Sequence, residues 1–385
     1  MTQAYAVTHV GSLPRPQAVV DCLLAQDSGP DYDVSLFEKT IAQAVDDVVR
    51  QQVQAGVDIV SDGEMSKISY ATYIRHRFTG FEIGLLPRAV PRDLDDFPEF
   101  KDRLARLGAT PKYHRPICTG AITVKDLSGL HRDIANLKAA CARHGAQRAF
   151  MNSASPGVVA VFQPNQHYAS QEAYLLALAE ALQQEYEAIV AAGLDLQVDA
   201  PDLAMGRHIR FRDASDEEFL RNANLQVEAL NHALRNIGPE RVRMHICWGN
   251  YEGPHHYDVA LDKILPVVLR ARTGTLVFES ANPRHAHEWE IWAECARRGQ
   301  LGDERKLAPG VLDSTNNFIE HPRLVAQRLE TYGRIVGADR VLAATDCGFG
   351  TFAGYGAVHP PIAWAKLASM AQGARMARDQ AGAQP

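Results

Sequence analysis

The order of apolar and polar positions along the chain predicts alternating strands and helices. Short apolar runs, of which 242–246 is the clearest, alternate with longer segments such as 171–192, where apolar residues recur every three or four positions. The first pattern is typical of a buried strand and the second of one face of a helix. Strands that alternate with helices form a parallel sheet. The pattern therefore predicts an α/β fold.

Each predicted strand ends in a cluster of polar residues. Eight strands are counted in this way, and their ends fall at Ser12, Glu64, Ser153, Asp199, Cys247, Glu279, Asp313 and Cys347. Eight parallel strands close a (β/α)8 barrel, whose active sites lie at the C-terminal ends of the strands. We therefore predict a (β/α)8 TIM barrel, with residues 1–385 as a single domain. A doubly wound sheet is the alternative, but no G-x-G-x-x-G turn follows the first strand.

The segment after the second predicted strand interrupts this alternation. Residues 65–115 carry aromatic residues, prolines and charges with little periodicity, and a candidate strand near 116–122 follows them. We interpret about 65–145 as an insertion into the barrel. Four residues of this insertion are candidates to reach over the barrel mouth: Tyr70, Tyr73, Arg75 and Arg77.

Composition and charge exclude several classes of partner. Hydrophobic residues make up 46% of the 385 residues, which suffices for one large barrel. The net charge of −6, without a basic run, disfavours nucleic acid and anionic membrane surfaces. No apolar run approaches the roughly 18 residues of a membrane span, and no signal peptide is visible. With six scattered cysteines and no disulfide pattern, we expect a cytoplasmic protein.

The end of the strand at 242–247 carries the first candidate for chemistry. His245 and Cys247 are two residues apart on one strand, so their side chains point to the same side. Imidazole and thiolate are zinc ligands, although this pair alone is a weak signal. Two later strands end in Glu279 and Cys347, which add a carboxylate and a second thiol. The four residues predict a zinc site built by separate strands rather than by a zinc finger.

Several motifs, taken in order, resemble the cobalamin-independent methionine synthase family. They are Val10-Gly-Ser12, Asp62-Gly-Glu64, Gln197-Val-Asp199, His245-x-Cys247, Glu279 and Thr345-Asp-Cys347-Gly. The likeness extends over nearly the whole chain and concerns the C-terminal half of the long members. Their N-terminal, folate-binding half has no counterpart in this sequence. The chain thus resembles the short single-barrel branch, which includes core methionine synthases and the related epoxyalkane:coenzyme M transferases.

The resemblance implies an activity and a set of site residues. It implies a zinc-dependent methyltransferase that alkylates a zinc-bound thiolate, with homocysteine as the favoured acceptor and methionine as the product. Its zinc ligands would be His245, Cys247, Glu279 and Cys347, and the residues that hold homocysteine would be Val10, Ser12, Glu64 and Asp199. Phe162 lies near the position where the long members place a folate-stacking tryptophan.

Two departures from the family bear on the mechanism. The long members carry a proton-donor histidine shortly after the seventh strand, where this chain has Asp313-Ser-Thr315-Asn. They often have Glu after the residue that matches Asp199, where this chain has Ala200. Candidate proton donors are therefore the two strand-end carboxylates Asp313 and Asp346 and the histidines His255, His256, His285 and His287. An amine leaving group needs a proton, whereas reduced cobalt does not. We therefore expect the methyl donor to be a protein-bound methyl-corrinoid, ahead of a methylfolate.

Two other functions stay open at this point. A transferase of the epoxyalkane:coenzyme M kind would need cations for the sulfonate, for which Arg15, Lys67 and Arg75 are the candidates. A non-enzymatic protein would use zinc for stability alone and would keep the metal coordinatively closed. Homocysteine is favoured because two carboxylates, Glu64 and Asp199, suit an ammonium group. The histidine-rich stretches 255–256 and 284–287 are interpreted as a hydrogen-bonded rim.

Overall fold

The computed structural model describes residues 3–84, 90–106 and 116–382. Its strands, in chain order, are β1 (Ala6–Val7), β2 (Ile59–Val60), β3 (Phe81–Ile83), β4 (Pro116–Cys118), β5 (Arg148–Ala154), β6 (Asp195–Asp199), β7 (Val242–Ile246), β8 (Thr275–Phe278), β9 (Lys306–Leu312) and β10 (Leu342–Thr345). Its helices are α1 (Gln17–Ser28), α2 (Val34–Ala55), α3 (Pro98–Arg106), α4 (Ser128–His144), α5 (Pro156–Phe162), α6 (Gln171–Ala191), α7 (Gly206–Ile209), α8 (Asp216–Ala233), α9 (Leu261–Val268), α10 (Trp289–Arg297), α11 (Pro322–Val336) and α12 (Pro360–Gly382). Short 3-10 helices lie at Thr72–His76, Arg92–Asp96, Pro201–Leu203, Pro239–Arg241 and Ala338–Arg340.

Eight of the strands form one parallel sheet that curves into a barrel. Their order is β1, β10, β9, β8, β7, β6, β5, β2, and all neighbours in this order pair in parallel. The two end strands also meet, because the N–H of Asp58 donates to the carbonyl of Val7 at 2.9 Å. Thr8 Oγ1 donates to the carbonyl of Ile59 at 3.2 Å beside this contact. The eight predicted strands and the TIM-barrel prediction are confirmed.

Local sequence signals explain where several helices begin and end. Helix α8 begins at a Ser-x-x-Glu sequence, the signature of a capping box, and Ser215 Oγ accepts from the N–H of Glu218 at 3.1 Å. Helix α2 ends at Gly56, whose φ of +86° is a left-handed conformation that suits glycine. Helix α5 was not predicted, because seven residues are too few for a periodic pattern. Ser155 caps it by accepting from the N–H of Val158 at 2.9 Å.

Below the C-terminal ends of the strands, the interior of the barrel is filled with side chains. The small apolar cluster there consists of Ala6, Val10, Ile59, Phe150, Val277, Ala308, Leu342 and Ala344. Arg243 is buried beside it, with its guanidinium 3.9 Å from the centre of the Phe150 ring and bonded to Thr8 Oγ1 and to the carbonyl of His9. A much larger apolar layer lies between the sheet and the surrounding helices. A filled interior is typical of this barrel, in which ligands bind at the strand ends.

The segment between β2 and β5 contains elements that stand outside the eight-stranded sheet. Strands β3 and β4 pair antiparallel in a sheet of their own, and α3 lies between them in sequence. Helix α4 packs against α2 in the outer helical layer. The insertion at about 65–145 stays a prediction, and its residues 85–89 and 107–115 lie outside the described residues. Among the helices that are described, none is long and apolar enough to cross a membrane.

Candidate active site

Three of the four predicted zinc ligands converge at the ends of β7 and β10. The candidate ligand atoms of His245, Cys247 and Cys347 all lie within 4.8 Å of one another. The two Sγ atoms are 3.1 Å apart, and Cys347 Sγ lies 3.4 Å from His245 Nε2. Around a tetrahedral zinc ion with Zn–S of ~2.3 Å and Zn–N of ~2.0 Å, S···S would be roughly 3.8 Å and S···N roughly 3.5 Å. The three donor atoms therefore fit a zinc ion if the two sulfur atoms move apart by roughly 0.7 Å.

The His245 ring has the tautomer that a metal ligand needs. Its Nδ1 lies 3.3 Å from the carbonyl oxygen of Val277, which can only accept, so Nδ1 carries the proton. The lone pair of Nε2 is then directed toward the two thiols. Burial lowers the pKa of His245 to about 4, so the ring is neutral at physiological pH. A carbonyl behind the second nitrogen is the usual way in which proteins orient a metal-binding histidine.

The surroundings of the two thiols raise their pKa and so favour the protonated form when no cation is bound. The contact with Cys347, burial and the neighbouring carboxylate of Glu279 raise the pKa of Cys247 well above its usual range. Both cysteines are free and buried. A dication would reverse this balance, because a coordinating thiol is deprotonated. This is the chemistry expected of a metal site whose ligands carry the compensating charge.

Glu279 lies at the end of β8, next to the cluster but outside the three mutually close ligand atoms. Its Oε1 accepts from the N–H of Trp248 at 2.7 Å, and its Oε2 accepts from Asn282 Nδ2 at 2.7 Å. A carboxylate has about four lone-pair sites, so these two bonds leave it able to bind a metal. Glu279 stays a predicted fourth ligand.

The two predicted acid residues, Asp313 and Asp346, do not line the cavity at the strand ends. Asp346 Oδ1 accepts from the N–H groups of Ser280 and Ala281, both at 2.8 Å, and its Oδ2 accepts from the N–H of Asn282 at 2.8 Å. It therefore holds the loop after β8. Asp313 accepts from Thr315 and Asn316 in its own loop. A direct catalytic role for either residue stays a prediction.

A cavity of about 450 Å³ opens over the cluster at the C-terminal ends of the strands. The predicted residues that line it are Val10, Ser12, Glu64, Phe162, Asp199, His245, Cys247 and Cys347. Among the described residues that line this cavity, His245 is the one histidine. The barrel therefore brings three of the four predicted metal ligands and the predicted amino-acid ligands to one cavity.

Glu64 and Asp199 form the acidic wall of the cavity. Glu64 Oε2 is buried without a hydrogen-bond partner among the described residues, and Arg15 reaches it only at 4.0 Å. Burial, reinforced by the charge of Asp199, raises the pKa of Glu64 to about 8. Burial also raises the pKa of Asp199 to about 6, although Asn152 Nδ2 donates to its Oδ2 at 2.9 Å. A bound cation would relieve this repulsion.

Val10 and Ser12 sit on the turn after β1, between the acidic wall and the Cys347 loop. The carbonyl of Val10 accepts from Asn152 Nδ2 at 2.9 Å. The carbonyl of Ser12 accepts from the N–H of Phe349 at 2.8 Å. A Cβ at Gly348 would lie 1.9 Å from Ser12 Oγ, so a larger residue would displace the Ser12 hydroxyl. The turn and the loop that carries Cys347 are thus packed as one unit.

Phe162 lines the cavity at the end of α5. Its ring meets that of Tyr70 edge-to-face at 5.6 Å, and Tyr70 lies 5.8 Å from the ring of Phe352. Of the four residues predicted as candidates to reach over the barrel mouth, Tyr70 lines the cavity. The other three, Tyr73, Arg75 and Arg77, do not. The aromatic rings give this side of the cavity an apolar surface on which a flat group could stack.

The candidate cations for a sulfonate are engaged elsewhere. Arg15 donates to the carbonyls of Glu64 and Lys67, and Lys67 donates to the carbonyl of Asn152. Arg75 forms an ion pair with Asp27. None of the three lines the cavity. The structure thus directs these cations to backbone and partner groups rather than to a ligand.

Sequence reasoning missed one wall of the cavity and the role of the loop after Cys247. Residues 90–105 supply Val90, Pro91, Leu94, Lys101, Leu104 and Ala105 to the lining. This segment is held by Asp93, whose Oδ2 accepts from Tyr251 OH at 2.6 Å and from the N–H of His255 at 2.8 Å. No periodic pattern marked it. The only hint in the sequence was the Gly/Asn/Tyr loop after Cys247. Its contact with residues 90–105 joins segments about 160 residues apart, so no local pattern could predict it.

The histidine-rich stretches form a hydrogen-bonded network, as predicted, but it is largely buried rather than a rim. His255 Nδ1 and His285 Nε2 lie 3.0 and 3.1 Å from Asp258 Oδ2. His285 is 3% exposed, and its ring lies 4.1 Å from that of Trp248. His256 is at the surface, paired with Asp96 at 2.8 Å. The network therefore ties the loop after β7 to the loop after β8.

Curated relatives match the chain over nearly its whole length. It is 25% identical over 376 residues to a methionine synthase of Saccharolobus islandicus, covering 97% of this chain and 95% of that protein. It is 24% identical over 377 residues to a methionine synthase of Saccharolobus solfataricus, with the same coverage. A methionine synthase of Sulfolobus acidocaldarius is 23% identical over 376 residues, covering 97% and 92%. No protein-family model matches the sequence.

Solved structures share the fold along the full chain. A B12-independent methionine synthase from Shewanella sp. W3-18-1, in complex with selenomethionine, superposes with a TM-score of 0.75 at 20% identity and covers 99% of this chain and 100% of its own. A putative vitamin-B12 independent methionine synthase from Listeria monocytogenes gives a TM-score of 0.67 at 19% identity, with 98% of both chains covered. The full-length similarity to curated methionine synthases, together with the ordered motifs, confirms that the chain resembles the cobalamin-independent methionine synthase family.

Proposed function

We propose that the protein is a zinc-dependent methyltransferase that methylates the thiol of homocysteine. The observation that carries this proposal is one cavity with two kinds of wall. One wall presents His245, Cys247 and Cys347 within 4.8 Å of one another, and the other presents the carboxylates of Glu64 and Asp199. An amino acid with a side-chain thiol has groups for both walls. The names of the relatives, methionine synthases, support the same acceptor.

Zinc would be held by His245, Cys247 and Cys347, with Glu279 as the candidate fourth ligand. When bound, it would supply the positive charge that keeps the acceptor thiol deprotonated at neutral pH. Glu64 and Asp199 would bind the ammonium group and fix the distance between this group and the sulfur. The aromatic and apolar walls would exclude water and orient the donor. Much of the rate would then come from positioning the reacting atoms.

Homocysteine is preferred over coenzyme M as the acceptor. A sulfonate would require a cation in the cavity, but Arg15, Lys67 and Arg75 are directed away from it. Lys101 does line the cavity, yet it is paired with Asp95 at 3.0 Å and half-exposed. An ammonium group, by contrast, would meet the unpartnered Oε2 of Glu64. Charge complementarity therefore favours the amino acid.

A protein-bound methyl-corrinoid is the proposed donor, ahead of a methylfolate. The amine of a methylfolate must be protonated to leave, whereas reduced cobalt leaves without a proton. Thr315, which stands near the place of the family's proton-donor histidine, does not line the cavity, and neither do Asp313 and Asp346. The described lining thus contains neither Thr315 nor the two strand-end carboxylates that were predicted to supply this proton.

Metal analysis tests the site. We expect one zinc per chain in the purified protein and loss of zinc in Cys247→Ala and Cys347→Ala, because each removes one sulfur ligand. Cys295→Ala is the matched control, since Cys295 is equally buried but lies in α10, away from the cluster. A wild-type protein that carries no metal under non-chelating conditions would contradict the proposal.

A panel of acceptors and donors tests the reaction. Zinc X-ray absorption should gain one Zn–S contact with homocysteine and none with coenzyme M. A metal that responds to no thiol would instead indicate a zinc-stabilised binding protein. The donors to compare are methylcobalamin, methyltetrahydrofolate and S-methylmethionine with homocysteine, and an epoxide with coenzyme M. Turnover of methyltetrahydrofolate that equals that of methylcobalamin would refute the preference for the corrinoid.

A further inference from the structure

Three imidazoles surround the buried carboxylate of Asp258, and they come from three different loops. His208 belongs to α7 after β6, His255 to the loop after β7, and His285 to the loop after β8. Asp258 Oδ2 bonds with His255 and His285, and Asp258 Oδ1 lies 3.0 Å from His208 Nδ1. The Asp258 side chain is 2% exposed. These four side chains form a buried titratable cluster outside the described cavity lining.

Two of these imidazoles have both ring nitrogens bonded to oxygens that can only accept. His285 bonds with Asp258 and, through Nδ1, with Glu288 Oε2 at 3.0 Å. His255 bonds with Asp258 and, through Nε2, with the carbonyl of Tyr251 at 3.0 Å. Each nitrogen must therefore carry a proton, which makes both rings cationic. Neither can lose a proton without leaving an acceptor unpaired.

His208 differs from the other two. It is 1% exposed, and neither of its ring nitrogens has an aligned hydrogen-bond partner in the described part of the chain. The contact of Nδ1 with Asp258 has the distance of an ion pair but not the direction of a hydrogen bond. His208 is therefore the member of the group whose ring nitrogens are not already committed to aligned hydrogen bonds.

His208 also lies directly behind the cavity wall. Its neighbours in sequence, Met205 and Ile209, line the cavity, as do Gly249 and Tyr251 across from it. A Cβ at Gly249 would stand 2.9 Å from the Tyr251 ring and 3.7 Å from His208 Nε2, so this nitrogen lies beside two residues of the lining. The His208 ring meets the ring of Tyr251 edge-on at 6.4 Å. His208 thus lies next to the cavity wall without lining the cavity itself.

The other titratable groups that face His208 are unsuited to take up a proton. His255, whose ring lies 6.2 Å from that of His208, is already cationic. Burial and the hydrogen bond to Asp93 raise the pKa of Tyr251, and its phenol already donates its proton to that carboxylate. The three surrounding imidazoles keep the pKa of Asp258 well below its usual range in spite of burial, so it stays ionised.

We propose that His208 is the proton-relay residue that takes up the proton released by the acceptor thiol. The inference rests on the proposed function. As the thiol S–H bond breaks, its electron pair stays on sulfur and an N–H bond forms at His208 Nε2. Sulfur then forms its bond to the methyl group, and the bond between the methyl group and the donor breaks with its electron pair leaving on the donor. His208 finally returns the proton to solvent or to the leaving group.

The test counts protons rather than turnover. Zinc-loaded protein is titrated with homocysteine by calorimetry near pH 7, in buffers of different ionisation enthalpy. A free thiol has a pKa of about 8.5 and releases a proton when it becomes a thiolate. We expect His208→Gln to release about one proton more per bound thiol than the wild type, which retains it. His255→Gln, which disturbs the same carboxylate, should match the wild type.

Equal proton release by wild type and His208→Gln, or a change of the same size in His255→Gln, would overturn the inference. A second measurement needs no variant: histidine-selective 15N NMR of the wild type should show Nε2 of one ring gaining a proton on thiol binding, with two rings doubly protonated throughout. Thiol binding without such a change would also overturn it. Absence of binding by any thiol would overturn the proposed function and this inference with it.

Discussion

At the scale of single residues, Glu64 combines two unfavourable features. Its φ of +56° is left-handed, which non-glycine residues rarely adopt, and its buried Oε2 has no hydrogen-bond partner among the described residues. Its backbone is held in place, since its N–H donates to Asp62 Oδ1 at 3.0 Å and its carbonyl accepts from Arg15. Such features persist where the surroundings over-determine them, and they cluster at functional sites. Both features lower the stability of the ligand-free protein, as expected for a residue whose proposed role is to bind a ligand.

We predict that Glu64→Gln stabilises the metal-loaded, substrate-free protein at high pH. Burial raises the Glu64 pKa to about 8 in the folded state, so its favourable contribution is complete below the ordinary carboxyl pKa and is lost as pH rises through about 8. Glutamine does not titrate, so the variant should lack this loss. At ~1.4 kcal/mol per pKa unit, the unfolding free energy should differ by a few kcal/mol at pH 9 and little at pH 4. Melting temperatures across this range provide the measurement, and equal slopes would contradict the prediction.

The same substitution should weaken homocysteine binding. Loss of a charge-assisted contact of ~1.5–3 kcal/mol corresponds to roughly a 10- to 150-fold rise in Kd, measurable by calorimetry. Asp202→Asn is the matched control, because Asp202 is equally buried on the loop after β6 but bonds with Ser155 Oγ and does not line the cavity. Equal affinity of wild type and Glu64→Gln would show that Glu64 does not meet the ammonium group.

At the scale of elements, the ends of β7, β8 and β10 are tied together by carboxylates that do not face the cavity. Asp346, directly after β10, accepts four hydrogen bonds from residues 280–282. Asn282 of that loop in turn donates to Glu279, which accepts from the N–H of Trp248 beyond β7. The predicted ligands of three strands are thus oriented by one continuous set of hydrogen bonds.

We predict that Asp346→Asn weakens zinc binding by roughly 10- to 100-fold, as expected when a group that orients metal ligands is lost. The amide would present N–H groups to the N–H groups of residues 280–282 and would release the loop that carries Glu279. Competition with a zinc chelator measures the change. Asp313→Asn serves as the control, since Asp313 bonds only with Thr315 and Asn316 of its own loop among its described side-chain contacts. Unchanged zinc affinity with a lower kcat would instead support direct catalysis by Asp346.

At the scale of the whole molecule, the barrel does not depend on the metal for its core. The apolar layer between the sheet and the helices extends around the barrel, and neither this layer nor the small interior cluster includes any of the three ligands. A zinc finger, by contrast, has almost no core and unfolds without its ion. Zinc should therefore adjust the stability of this protein without deciding whether it folds.

We predict that removal of zinc lowers the melting temperature by several degrees and leaves the helical circular dichroism unchanged at 25 °C. A ligand present at a thousandfold excess over its Kd stabilises the folded state by ~4 kcal/mol. In a chain of this size, 1 kcal/mol shifts the melting temperature by about 2–4 °C or less. Chelator should not shift the melting temperature of Cys347→Ala further. Loss of helical signal on chelation would contradict this prediction.

The sequence by itself determined the strands of the barrel and the candidate ligands that stand on them. His245 and Cys247 could be paired because the period of a strand is two residues, and Cys347 could join them because parallel strands bring their carboxyl ends to one side. Helix starts such as Ser215 were also visible, since a cap acts within one turn of the chain. These rules depend on residues that are near one another in sequence or on the general geometry of parallel strands, so the sequence alone is enough to apply them.

Only the tertiary structure decided which strand-end groups face the cavity and which face one another. Asp346 follows a strand as Asp199 does, yet it accepts hydrogen bonds from the loop after β8, and its register at the end of β10 is shifted by an irregularity. The wall at residues 90–105 and the approach of His208 to Asp258 join segments that are distant in sequence. Such contacts depend on loop directions and on the packing of neighbouring strands, and no local period of apolar residues encodes them.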